Sequence, residues 1–161
     1  MNVESVMTPD PITIQAKDTI REASRIIREK KIGGLPVMDG DNMIGMITES
    51  DILALLAVKG PSEDLWLPSP LEVIEIPIRE IFNWEKTKEA LSDIGAKAVS
   101  SVMSYPIITV DAEDTIEEAA RIMLREGIAR LPVLKNGKLA GIVTRANIVE
   151  GMGRQREEEI A

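Results

Sequence analysis

The sequence predicts a mixed α/β (α+β) protein made of two pseudo-symmetric β-α-β-β-α units packed sheet to sheet, with an ordered insertion between them. Three observations carry this. The stretch VESVMTPDPITIQAKDTIREASRIIREKKIGGLPVM returns as VSSVMSYPIITVDAEDTIEEAARIMLREGIARLPVL without a gap, so that Met7 answers Met103, Thr19 answers Thr115, Pro36 answers Pro132 and Thr48 answers Thr144. Within each copy, short β-rich runs flank a segment of helical period. Between the copies the composition changes and four prolines gather. A unit repeated at fixed spacing is one supersecondary element made twice, each copy too small to bury its apolar face well alone. Function is therefore expected where the two copies meet.

Each copy opens on an extended apolar stretch, Pro11-Ile12-Thr13-Ile14 and Ile107-Ile108-Thr109-Val110. Helices then start at Asp18-Thr19 and Asp114-Thr115, where Asp or Thr caps free N–H groups and Glu22 or Glu118 completes a capping box from the threonine. Ile20, Ala23, Ile26 and Ile27 share one face, as do Ile116, Ala119, Ala120 and Met123, so both helices are expected to lie on a sheet. Two β-rich runs follow in each copy, Leu35–Met38 with Met43–Thr48 and Leu131–Leu134 with Leu139–Thr144. Asp39-Gly40 and Asn136-Gly137 supply the residues that tolerate positive φ in a tight hairpin. A second helix begins near Ser50 and near Ala146.

These readings divide the chain into a first unit over 1–59, an insertion over 60–97, a second unit over 98–153 and a polar tail over 154–161 that frays from a helix. Within the insertion, Pro61, Pro68, Pro70 and Pro77 break regular structure. Ile74, Ile76 and Ile78 alternate like one face of an edge strand, and Asn83 caps a helix whose Trp84, Thr87, Leu91 and Ile94 share a face before Gly95 ends it. Trp66 and Trp84 fit burial against the rest of the chain, a dimer interface or a lid over a cleft. Met7 and Met103 read as core, with thioethers that can adapt to a nearby ligand.

Composition narrows the function. The chain has 161 residues with 44% apolar content, enough for a real core, and it contains neither Cys nor His. That removes a thiol nucleophile, an imidazole base, disulfides and the usual zinc ligands. The formal charge of −8 disfavours nucleic acid, whose binding needs Lys and Arg against phosphate. No signal-like start or long apolar run appears, so a soluble cytoplasmic protein away from membranes is expected. An enzyme has little support, since no Gly-x-x-x-x-Gly-Lys loop, metal cluster or nucleophile pair accompanies the acidic residues.

The residues resemble a tandem pair of cystathionine-β-synthase (CBS) domains, the Bateman module. The first copy carries Val6-Met7-Thr8-Pro9, the Asp-Thr-Ile helix start, Leu35-Pro36-Val37 and Gly45-Met46-Ile47-Thr48-Glu49-Ser50-Asp51-Ile52. The second carries Val102-Met103-Ser104, Leu131-Pro132-Val133 and Gly141-Ile142-Val143-Thr144-Arg145-Ala146-Asn147-Ile148. The resemblance implies two clefts between the copies, each able to take an adenosyl ligand such as AMP, ADP, ATP or S-adenosylmethionine. It further implies regulatory sensing rather than catalysis, a disc-like homodimer, and an unidentified effector protein as listener.

In such modules, the resemblance implies, one copy's first strand and the segment before its Leu-Pro-Val hold the adenine, while the Thr-x-x-Asp of the other holds ribose and phosphate. This assigns Ile14, Ile32, Gly33 and Gly34, with Val110, Ile128 and Ala129, to adenine pockets. Periodicity alone makes the isoleucines core, whereas Gly33-Gly34 suggests a close backbone approach, here by adenine. Thr48, Ser50 and Asp51, and from the second copy Thr144, Arg145 and Asn147, become ribose and phosphate contacts. A carboxylate and free N–H groups at a helix start suit both parts of a nucleotide, yet the same Thr-x-x-Asp is equally a capping box.

The mismatches break the symmetry: Asn147 replaces Asp51, Arg130 stands where the first copy has Gly34, and Arg145 where it has Glu49. Asn147 is the weaker ribose partner, and the two arginines place positive charge around the second copy's motif. An arginine just before Leu-Pro-Val contacts phosphate in CBS modules that bind AMP, which makes Arg130 the leading candidate, with a solvated surface arginine as the alternative. The expected function is a regulatory module that binds an adenosyl ligand; the alternative is a structural or interaction protein with degenerate clefts that docks partners through the insertion.

Overall fold

The computed structural model describes residues 1–58 and 83–160. The expected strand at Ile74, Ile76 and Ile78, the prolines of the insertion and Trp66 lie outside the described residues, as do the side chains of Trp84 and Thr87.

The chain runs β1 (Thr8–Pro9), β2 (Ile14–Gln15), α1 (Ile20–Lys30), β3 (Gly34–Asp39), β4 (Asn42–Thr48), α2 (Glu49–Val58) and α3 (Asn83–Ala96). It continues through β5 (Val110–Asp111), α4 (Ile116–Glu126), β6 (Arg130–Lys135), β7 (Lys138–Thr144) and α5 (Arg145–Ile160). Each copy is a β-α-β-β-α unit in which a short parallel strand and an antiparallel hairpin make a sheet, ordered β2-β3-β4 in the first and β7-β6-β5 in the second.

Local chemistry explains the matching helices. Thr19 and Thr115 each accept a bond from the backbone N–H three residues on, at 3.2 Å in both copies. Asp18 and Asp114 turn back to accept from the N–H groups of Gln15 and Asp111. The capping box is only half made, because the Glu22 and Glu118 carboxylates pair with Arg25 and Arg121 on the outer face of the helix. The inner face holds Ile20, Ala23 and Ile27 in one copy and Ile116, Ala119, Ile122 and Met123 in the other.

The two hairpin turns differ by one residue from the expected pair in the first copy. Asp39 still pairs with Asn42, so the loop is Gly40-Asp41, with positive φ at Gly40; in the second copy Asn136 and Gly137 form the loop and both take positive φ. A Gly at the first loop position suffices for a type II′ turn, whereas Asn-Gly suits type I′.

The copies are interlocked. β1, from the first copy's sequence, pairs with β7, and Met46 in β4 pairs with Ser104 in return. Val3 is fully buried in the second unit's core and Val99 in the first unit's core. Gly45 and Gly141 make this exchange possible, since a side chain at either would run into Met103 or Met7 from the other copy. The methionines expected in the core are thus partly buried bridges between the copies.

The insertion's helix α3 packs on α1. Ile94 enters the first core, but Leu91 is 46% exposed, and the helix passes through Gly95 to Ala96. Gly95 lies against the Arg21 side chain, so the missing Cβ serves packing and not helix termination. The segment read as a frayed tail is the end of α5. No helix among the described residues is long and apolar enough to cross a membrane.

Candidate functional site

The exchange of segments makes two composite clefts related by the repeat. The first, a cavity of about 340 Å³, brings Thr48, Glu49, Ser50 and Asp51 of the first copy against Ile107, Ile108, Ile128, Ala129 and Arg130 of the second. The other, of about 370 Å³, sets Thr144 and Ile142 of the second copy against Pro11, Ile12, Ile32, Gly33 and Gly34 of the first. Both volumes fall within the range of small-molecule sites, about 300–1,000 Å³.

In the first cleft, β4 ends at Thr48 and α2 starts at Glu49, which leaves Asp51 in the first turn. The Asp51 carboxylate accepts from the Thr48 backbone N–H at 2.9 Å and from its hydroxyl at 3.0 Å, while Thr48 Oγ1 accepts the Asp51 N–H at 3.3 Å. Its other oxygen accepts from Ser104 Oγ of the second copy at 2.9 Å. The motif is therefore a capping box, and it is also aimed into a cavity and tied across the copies. Asn147 repeats the cap in the second copy, its Oδ1 accepting from the Thr144 N–H and hydroxyl at 2.9 Å each. It faces a separate hollow shared with Thr8, Glu150 and Arg154 and does not line the second cleft.

Arg130 is half-buried and lines both clefts. Its Nη1 donates to the Gly33 carbonyl at 2.5 Å, the same oxygen that accepts the Glu49 N–H. No carboxylate lies within ion-pair distance of it among the described residues; burial pushes its pKa down, opposed only by the charge of Glu49. A guanidinium held in a cleft by a neutral carbonyl has donors to spare for an anion.

Several expected positions move. Ile14 and Val110, read as adenine contacts, are each 3% exposed and belong to the two cores. Their strands are two residues long, so the chain preceding them leaves the sheet, and Ile12 and Ile108 face the clefts instead. Gly33 and Gly34 make room for the Arg130 side chain: a Cβ on Gly33 would overlap its guanidinium, and one on Gly34 would come within 3.1 Å of Nη1. Arg145 is exposed, lines neither cleft, and donates from Nε to the Ile128 carbonyl at 3.2 Å. Arg130 faces Thr144 across the β6–β7 ladder and lines the second cleft with it, and it also reaches the first cleft, where Asp51 lies.

Ile32, Gly33, Gly34 and Thr144 line the second cleft, and Thr48, Ser50, Asp51, Ile128, Ala129 and Arg130 the first. Ser104 and Lys31 are additions. The hydroxyl shared by Thr8 and Ser104 at one repeat position is the sequence signal that points to Ser104.

Two copies of one unit, interlocked around composite clefts, define a tandem-repeat module. The CBS domain family profile matches residues 3–58 and 99–154, and the chain belongs to the CBS domain family. It is 35% identical over 144 residues to Uncharacterized protein MJ1426 of Methanocaldococcus jannaschii, covering 88% of this chain and 86% of that protein. It is 30% identical over 139 residues to the chloroplastic CBS domain-containing protein CBSX2 of Arabidopsis thaliana, spanning 84% of this chain and 56% of that protein. The crystal structure of CBSX2 in complex with AMP superposes with a TM-score of 0.68 at 26% identity, over 96% of this chain and 98% of that one. The CBS domain pair of protein MJ0100, solved with 5-methylthioadenosine and S-adenosyl-L-methionine, shares the fold with a TM-score of 0.68 at 22% identity, over 96% of this chain and 98% of that one.

Proposed function

We propose that this protein is a regulatory module that binds an adenosyl ligand in its first cleft and passes the occupancy to a partner protein. The observation that carries the reading is the meeting of Asp51 and Arg130 in one cavity with an apolar wall of Ile107, Ile108 and Ile128. The wall suits a purine face, the carboxylate can accept from ribose hydroxyls, and the guanidinium can hold phosphate or another anion. AMP in CBSX2 supports an adenosyl ligand here, as do the two adenosyl compounds in MJ0100. Thermal unfolding tests it: a ligand at 100 times its Kd adds about 2.7 kcal/mol to stability. AMP, ADP, ATP and S-adenosylmethionine are each added at millimolar concentration. A melting curve that none of them moves refutes the sensor and leaves an interaction module with degenerate clefts.

The module acts as a homodimer through α2 and α5. Leu53 and Leu56 on α2 and their repeat partners Val149 and Met152 on α5 are exposed by 62, 39, 70 and 60%. Two equivalent apolar pairs on two equivalent helices suit a two-fold interface. Light scattering on the protein and on Leu53→Asp/Val149→Asp is expected to show a dimer and a monomer, and a monomeric wild type rules the interface out.

A further inference from the structure

The repeat offers two equivalent positions for a cation before the Leu-Pro-Val segments, residue 34 and residue 130, and only one of them is filled. Arg130 reaches out of its own copy to Gly33, with Nη1 on the Gly33 carbonyl. The space beside it is closed: a Cβ at Gly34 would stand 2.9 Å from the Ile47 carbonyl and 3.1 Å from the Arg130 guanidinium. A second long side chain at residue 34 does not fit beside the first. The single guanidinium is consequently a wall of both clefts at once.

We propose that Arg130 is the shared anion contact of the two clefts, so that each chain takes one phosphorylated ligand at a time. The inference rests on the adenosyl-binding reading and adds a rule of occupancy to it. Two phosphates drawn to one guanidinium lie within about 6 Å of each other, and at the effective dielectric of a protein surface their repulsion weakens the second binding roughly a hundredfold. A ligand without phosphate meets no such conflict. The other cation on the second cleft is Lys31, an exposed side chain at the end of α1. It is the group that would give this cleft an anion site of its own if the proposal were wrong.

Isothermal titration of the wild-type chain with AMP and with adenosine decides the matter. The expected result is one AMP per chain, any second AMP roughly a hundredfold weaker, and no such separation between successive adenosines. Arg130→Gln is expected to lose roughly tenfold or more in AMP affinity, down to the level of adenosine. The wild-type stoichiometry needs no variant, so misfolding of Arg130→Gln cannot mask it. Two AMP of similar affinity in the wild type overturn the shared contact, all the more if Lys31→Ala removes one of them. Tight AMP binding by a folded Arg130→Gln overturns it as well. If neither AMP nor adenosine binds while S-adenosylmethionine does, the occupancy rule falls alone; if AMP, ADP, ATP and S-adenosylmethionine all fail to bind, the adenosyl reading falls with it.

Discussion

Replacing Asp51 by asparagine separates the two roles that its carboxylate combines. In the structure one oxygen closes the cap with Thr48 and the other accepts from Ser104. The second copy already shows what an amide does there, because Asn147 Oδ1 takes the same two bonds from Thr144 at 2.9 Å. In Asp51→Asn the cap therefore survives, and the amide N–H can donate to Ser104 Oγ, a hydroxyl able to accept. The expected loss of stability is under about 1 kcal/mol, in the lower half of the range of about 0.5–2 kcal/mol for deleting a helix cap outright. The ligand feels more. Bonds to a charged acceptor contribute about 1.5–3 kcal/mol and neutral ones about 0.5–1.5, so two ribose bonds lose about 2 kcal/mol, roughly thirtyfold in Kd. Urea unfolding measures the first quantity and titration with AMP the second. An AMP affinity unchanged within threefold would mean that the carboxylate only caps its helix. A stability loss above about 2 kcal/mol would mean that the asparagine cap of one copy does not transfer to the other.

Val99→Ala removes a fully buried side chain that belongs to the second copy's sequence but sits in the first copy's core. A loss of about 2 kcal/mol in urea unfolding is expected from the lost methyl groups and the cavity, and a change under 0.5 kcal/mol contradicts the interlock. Gly45→Ala pushes a Cβ to 3.1 Å from the Ser104 carbonyl and into the Met103 thioether. It is expected to cost about 1–3 kcal/mol as overpacking, whereas Gly45→Ala with Met103→Ala should recover part of the loss. The ion pair of Lys135 with Glu4 raises the lysine pKa through a hydrogen bond and the carboxylate's charge. A raised folded pKa contributes stability below the unfolded lysine value, and that contribution fades as pH climbs through the folded one. Thermal unfolding of the wild type should thus drop more steeply above about pH 10 than that of Glu4→Gln, and parallel curves would show that the pair contributes nothing.

How much the sequence discloses depends on the range of the interaction. The helix starts at Thr19 and Thr115, the inner faces of α1 and α4, and the Asn136-Gly137 turn follow from capping, period and φ preference, which act over a few residues. The Thr48–Asp51 box is legible for the same reason. Ile14 was ambiguous because alternation predicts facing only within a ladder, and β2 lasts two residues. Gly33 and Gly34 signalled a close approach without naming what approaches.

The duplicated unit, its element order and the asymmetries Asp51 against Asn147 and Gly34 against Arg130 are all written in the order of the residues. That the asymmetries meet in one cavity follows from the packing of the two units. Exchange of β1 and of the Val3 and Val99 segments between the units places Arg130 in the cleft of Asp51 and against Gly33. That placement is made by contacts between residues nearly a hundred positions apart, and no local pattern encodes them. It depends on which copy's core buries which copy's valine, a choice settled by packing.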